Sequence, residues 1–278
     1  MKKGISVWSF QGMTLKEIFE FAKKAGFDGV EVALDETGEV SLESTPEQLQ
    51  AVKEMAAEAG IELYSVATGL YWKYSLTDDD EAIREKAQYV IKRQLEVAKA
   101  LDCDTILVVA GTVCADFVNP NKVVDYQDAY ERSLAALKEL KAYAEELQVH
   151  IGIENVGSRF LISPMEMKDF IDRIDSDYVG SYFDIGNVGQ ATYPEHWIKI
   201  LAKKLKKVHI KDYRKLANGA GVGVDLLAGS INFPVAMKAL EEAGYDGWIT
   251  AEMNTYRAHN DVMLYHTSHA MDKILGRN

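Results

Sequence analysis

Short runs rich in Val, Ile and aromatic residues alternate with longer amphipathic stretches from one end of the chain to the other. This alternation restricts the fold more than any other feature of the sequence. The runs stand at residues 4–10, 29–34, 62–68, 105–111, 150–156, 178–186, 207–212 and 248–253. Strands buried on both faces read this way, as in a parallel sheet covered by helices. The stretches between them mark their own starts. Thr14-Leu15-Lys16-Glu17 and Ser163-Pro164-Met165-Glu166 have capping-box spacing, and Thr45-Pro46 sets a cap residue before a first-turn proline. Tyr130, Leu134, Leu137, Ala144 and Leu147 share one face of a long helix. Turn glycines close helices before strands in Ala25-Gly26-Phe27-Asp28-Gly29 and Ala243-Gly244-Tyr245-Asp246-Gly247. Eight such units without a linker-like break predict a single α/β domain over residues 1–278, closed as a (β/α)8 barrel.

An open doubly wound sheet would need a glycine-rich phosphate turn after the first strand. Trp8-Ser9-Phe10-Gln11-Gly12-Met13 stands there instead. The glycine-dense segment at 219–223 follows the seventh run and reads as a flexible loop, not a dinucleotide fingerprint.

The net charge of −12 works against a nucleic-acid partner, which calls for a basic surface, and points to small molecules. No stretch reaches the roughly 20 apolar residues of a membrane span. The N-terminal residues run straight into a strand pattern and lack the apolar core of a signal peptide. Two cysteines, Cys103 and Cys114, without CxxC spacing argue against a disulfide framework, so a reducing cytoplasm is expected.

In a barrel of this kind the chemistry sits at the C-terminal strand ends. Reading those positions on four consecutive strands collects Glu154, Asp184, His209 and Glu252. Three carboxylates crowded at one mouth repel one another unless a cation neutralises them. Any one of these acids could cap a helix or pair with a lysine; four ligand-type residues at successive strand ends point to one divalent ion. Carboxylate oxygens with one imidazole suit Mn²⁺ first, and Mg²⁺, Co²⁺ or Zn²⁺ are also compatible.

The phrases Ile153-Glu154-Asn155-Val156, Phe183-Asp184-Ile185-Gly186-Asn187, Val208-His209-Ile210-Lys211-Asp212 and Ala251-Glu252-Met253 stand in a specific order and spacing. In them the chain resembles the sugar phosphate isomerase/epimerase family of the xylose isomerase-like TIM-barrel superfamily, over nearly its whole length. The resemblance implies that Glu154, Asp184, His209 and Glu252 hold the metal. It also implies that Glu154 and Glu252 form an acid/base pair on opposite faces of a sugar, one removing a proton beside the carbonyl and the other returning one. The implied reaction is metal-dependent isomerisation or epimerisation of a sugar or sugar phosphate, foremost ketose 3-epimerisation through an enediolate. Relatives commonly assemble as homodimers or tetramers. Two positions depart from the branch acting on free ketoses: Asn187 replaces a histidine, and Phe160 stands where a second glutamate is found.

Trp8, Asn187, Lys211 and Arg214 are candidate substrate contacts, with Lys215 and Arg159 as further cations for a phosphate. Tyr71, Trp72 and Tyr74 form an aromatic cluster that could wall off a sugar or serve packing. His150 opens its strand at the far end, and His266 and His269 on the last helix lack an acidic partner. Three other functions compete. An inosose dehydratase-like lyase acting on a keto-cyclitol needs the same carboxylates. A trinuclear-zinc nuclease needs more histidines than the six present. A non-catalytic sugar binder has no use for two opposed carboxylates.

Overall fold

Each of the eight strand runs pairs in parallel with two neighbours, and the ring closes. The computed structural model describes residues 1–189, 192–217 and 221–277. The barrel strands are β1 (Lys2–Ser6), β2 (Gly29–Leu34), β3 (Glu62–Thr68), β4 (Thr105–Val108), β5 (His150–Glu154), β6 (Val179–Asp184) and β7 (Leu205–Ile210). Two short strands follow, β8 (Asp212–Lys215) and β9 (Gly221–Val224), and then β10 (Trp248–Ala251) completes the ring between β7 and β1.

Helices α1 (Leu15–Ala25), α2 (Pro46–Ala59), α3 (Glu81–Ala100), α4 (Tyr126–Leu147) and α5 (Pro164–Ile174) cover the first five gaps. A single turn, α6 (Ile185–Gly189), leaves the mouth after β6, and α7 (Pro194–Leu201), α8 (Phe233–Glu242) and α9 (Asn260–Ile274) finish the outer layer. Their starts follow the sequence. Thr14 with Glu17, and Thr45 with Gln48, make reciprocal capping boxes, while Ser163 caps α5 but Glu166 reaches back to Ile162 N–H instead. Gly26 closes α1 at φ 90°, a left-handed conformation that a residue without a Cβ enters freely.

Strand ends differ from expectation: the first run stops at Ser6, before a 3-10 turn at Val7–Ser9 that carries Trp8, the fourth at Val108, the fifth at Glu154 and the sixth at Asp184, and two segments differ in kind. The first strand begins at Lys2, because its lysines are strand residues and not a solvated tail. Lys2 and Lys3 are in register with Trp248 and Ile249. The buried Lys3 ammonium meets Ser268 Oγ at 3.0 Å and Asp272 Oδ1 at 2.6 Å, tying the first strand to the last helix. The glycine-dense segment is no loose loop where it is described. Gly221 to Val224 pair antiparallel with β8, which supplies the backbone partners that glycines lack side chains to replace; residues 219–220 lie outside the described residues.

The barrel interior is filled in layers. Near the bottom, Tyr64 stacks on Trp248 with ring centroids 3.8 Å apart, and its hydroxyl meets Thr250 Oγ1 at 2.8 Å. β1 makes room for this plug with Gly4, where a Cβ would lie 2.1 Å from the Tyr64 hydroxyl. Gly4→Ala is therefore expected to destabilise the barrel by about 1–3 kcal/mol through overpacking, read as a lower urea midpoint. An unchanged midpoint would show that the plug yields.

Candidate metal centre

Glu154 and Asp184 are the last residues of β5 and β6, His209 is the penultimate residue of β7, and Glu252 follows β10 directly. Asp184 and His209 are register partners, and the Glu252 N–H donates to Ile210 O at 3.2 Å. Strand pairing thus places four side chains at one depth of the barrel mouth. One ligand atom from each lies within 4.8 Å of all the others.

The surroundings orient these atoms. Asn155 accepts from Asp184 N–H and donates to Asp184 O, both at 2.8 Å, which locks the end of β5 to the end of β6. The Asn187 N–H donates to Asp184 Oδ1 at 2.8 Å, leaving Oδ2 to face the centre. Asn187 Nδ2 donates to Asn155 O at 3.0 Å and stands 3.4 Å from Glu154 Oε1.

His209 is held by a residue that the sequence reading passed over. Glu31, on β2 across the barrel, has no exposed surface and lies with Oε1 3.0 Å from His209 Nε2. Its other oxygen accepts from the Tyr182 hydroxyl, which also meets Ser65 Oγ at 3.1 Å. A carboxylate only accepts, so Nε2 carries a proton towards Glu31 and Nδ1 faces the centre, where it presents a lone pair once deprotonated. The available signal was a glutamate inside an apolar strand, Gly29-Val30-Glu31-Val32, since a buried acid needs a partner.

Among the described residues, four buried side-chain polar atoms lack an aligned hydrogen-bond partner, and two of them are His209 Nδ1 and Asp184 Oδ2, the latter with the Lys211 ammonium 2.9 Å away as an ion pair. Buried orphans are costly unless something fills the place they face. With Glu154 and Glu252 oxygens beside them, three carboxylates and one imidazole nitrogen form a donor set that fits a divalent cation.

The electrostatics divide the two glutamates. Burial, then the charge of Glu252, pushes the Glu154 carboxyl up to about 8. Burial works the same way on Glu252, but the Lys211 ammonium and the neighbouring His209 overcome it and hold Glu252 well below the usual carboxylate range. For His209, burial opposes the charged form, yet Glu31 and Glu252 raise its basicity well above that of a free imidazole.

A cavity of about 360 Å³ opens beside the cluster, lined by Trp8, Lys211, Glu252 and Asn254 among others, with Gly223 of β9 forming part of its wall. A Cβ at Gly223 would lie 3.1 Å from Asn254 Nδ2, so the hairpin packs closely on the loop after β10. Trp8 and Lys211 thus line the mouth, and Asn187 braces Glu154. Arg214 lies elsewhere: it is exposed on β8, and its guanidinium donates to Ala228 O at 2.7 Å. Arg159 pairs with Asp116 on the surface. Phe160 is buried among Tyr126, Tyr130 and Phe170, so its position serves the helix layer. Tyr71 is a packing residue, buried and donating to Gln94 Oε1, while Trp72 lines another cavity of about 190 Å³ with Lys73, Asp78 and Lys122.

Comparison with known proteins identifies the family and the fold. The sequence pattern of the family described as xylose isomerase-like TIM barrel matches residues 19–272. The L-ribulose-5-phosphate 3-epimerase UlaE of Salmonella heidelberg (strain SL476) is 24% identical over 248 residues, covering 86% of this chain and 82% of that one. The crystal structure of a D-psicose 3-epimerase in the presence of D-fructose superposes with a TM-score of 0.83 at 19% identity, over 99% of this chain and 100% of the other. The 3-keto-D-glucoside 4-epimerase YcjR of E. coli superposes with a TM-score of 0.76 at 19% identity, over 98% and 99% of the two chains.

Two outcomes follow for the cluster. A carboxyl that keeps its proton up to about 8 must lose it to ligate, and the favoured imidazolium of His209 must release one too, so Mn²⁺ affinity should rise with pH at least up to that point. Where one proton is displaced, the slope is about tenfold per pH unit; a flat titration between about pH 6 and about pH 8 would refute it. Glu31→Gln removes the acceptor that orients His209 and should weaken Mn²⁺ binding about 10–100-fold, measured by calorimetry. Unaltered binding would make Glu31 a packing residue only.

Proposed function

We propose, from the premise that the chain belongs to the xylose isomerase-like TIM-barrel family, that it is a divalent-metal-dependent sugar epimerase acting at carbon 3 of a ketose. The carrying observation is the convergence of Glu154 and Glu252, from strands three places apart in the ring, on one cluster with Asp184 and His209, beside a cavity that Glu252 lines. Relatives named for 3-epimerisation of ribulose phosphate and psicose support this reading over a lyase. The substrate is a small sugar or sugar phosphate, and the free cysteines and acidic charge suit a cytoplasmic setting.

Held by Glu154, Asp184, His209 Nδ1 and Glu252, a divalent ion, Mn²⁺ foremost, would polarise the carbonyl and stabilise negative charge on its oxygen. The protein's own groups do the rest. Glu252, ionised and at the edge of the cavity, suits the first base, taking the proton from the carbon beside the carbonyl. Glu154 stands on the opposite face and returns a proton there, which it takes up from water on an oxygen not engaged in ligation. The epimer leaves with Glu252 protonated and Glu154 ionised, and turnover in the reverse direction, or exchange with water, resets the pair. Trp8 and the β8–β9 hairpin flank the cavity and limit water around the carbanionic carbon. Lys211 offers the substrate oxygens a donor. Asn187 holds Glu154 in place.

Incubation in D₂O with a panel of ketoses, ketose phosphates and inososes tests the proposal. The substrate should return as the 3-epimer carrying deuterium at the inverted carbon, and Glu252→Gln should lower kcat by at least about 100-fold with the fold intact. A dehydrated product would establish the lyase instead, and inversion without solvent deuterium would exclude the two-base route.

A further inference from the structure

Lys211 carries more than the substrate contact expected of it. Its Nζ lies 2.5 Å from Glu252 Oε2 and 2.9 Å from Asp184 Oδ2, so one ammonium bridges two of the four converging residues. The route of the side chain is built into the fold. A Cβ on Gly186 would lie 2.0 Å from Lys211 Cγ and 2.9 Å from Lys211 O, so the stem passes only because residue 186 is a glycine. The side chain is 24% exposed, and its exposed part lines the cavity with Trp8 and Asn254.

An ammonium bridging two carboxylates takes the electrostatic place of a metal. A divalent ion bound about 2.0–2.6 Å from oxygens of Asp184 and Glu252 leaves no room for a second cation at hydrogen-bond distance from the same atoms. Like charges that close also repel strongly where water is scarce. The lysine therefore has to give up these oxygens when metal arrives, and the cavity it lines is the space into which it can turn. Three carboxylates, one ammonium and one divalent ion carry no net charge together, so the ammonium remains near the loaded centre.

We propose that Lys211 is a tethered counter-cation that competes with the metal for Asp184 and Glu252, and that metal loading turns its ammonium into the cavity to meet a substrate oxygen. This rests on the metal-dependent reading above. It makes loading and the presentation of a substrate donor one event.

Titration with Mn²⁺ of the metal-stripped wild type, Lys211→Met and Lys211→Gln, followed by the EPR signal of free Mn²⁺, tests it. Both variants should bind at least about tenfold tighter than wild type, since the competitor is gone. Their metal-stripped forms should melt at lower temperature, with the carboxylates left uncompensated. Equal or weaker binding by the variants overturns the competition and leaves the metal reading standing. Binding by the variants alone upholds the competition while removing the metal from the native enzyme, and binding by none of the three overturns both. Should neither variant fold, acylation of wild-type Lys211 decides: faster labelling with Mn²⁺ supports the displacement, and unchanged or slower labelling refutes it.

Discussion

Three carboxylates and an imidazole share one mouth of the barrel within 4.8 Å, and their mutual repulsion is the constraint that the surrounding structure answers. Charges at such distances interact by several kcal/mol where water is partly excluded. Each nearby feature relieves or directs that energy. Glu154 holds a proton, Lys211 supplies a positive charge, and Glu31 balances His209 from behind. None of these devices satisfies His209 Nδ1, and Asp184 Oδ2 has only the Lys211 ammonium 2.9 Å away. The residual demand is for a cation that these atoms can ligate, which is the reason for the metal-dependent reading.

The same demand organises the barrel interior. A purely apolar core could not turn His209, because an imidazole buried without a partner has no preferred tautomer. Glu31 reaches from β2, on the far side of the ring, and is itself anchored by Tyr182 from β6. One polar column therefore ties strands across the barrel and sets the direction of the histidine lone pair. Below it, the stacked Tyr64 and Trp248 seal the barrel with apolar surface, so the buried charges above lie far from water at the lower end.

Closure of the ring also determines what reaches the substrate. The β8–β9 hairpin rises after β7 and packs against the loop after β10, so the wall of the cavity is made of segments distant in sequence. Arg214 begins on that hairpin but turns outward to Ala228 O, whereas Lys211, three residues earlier, turns inward. Along an extended segment side chains alternate, so residues three apart face opposite ways, and Gly186 leaves the space for the inward one.

Much of this was legible in the chain. The alternation of strand runs and capped helices determined the barrel, because buried parallel strands and amphipathic helices each demand their own periodicity. Strand ends then placed Glu154, Asp184, His209 and Glu252 at one depth by counting alone. The start of β1 at Lys2, the pairing of Gly221 to Val224 and the role of Glu31 were not legible in this way. Each depends on a partner remote in sequence: Asp272 for Lys3, β8 for the glycines, and His209 for Glu31. The sequence by itself determined the period and order of the elements, since those follow from local burial. Only the tertiary structure decided which buried charge meets which, because the energy of a buried charge depends on distances that closure of the ring alone establishes.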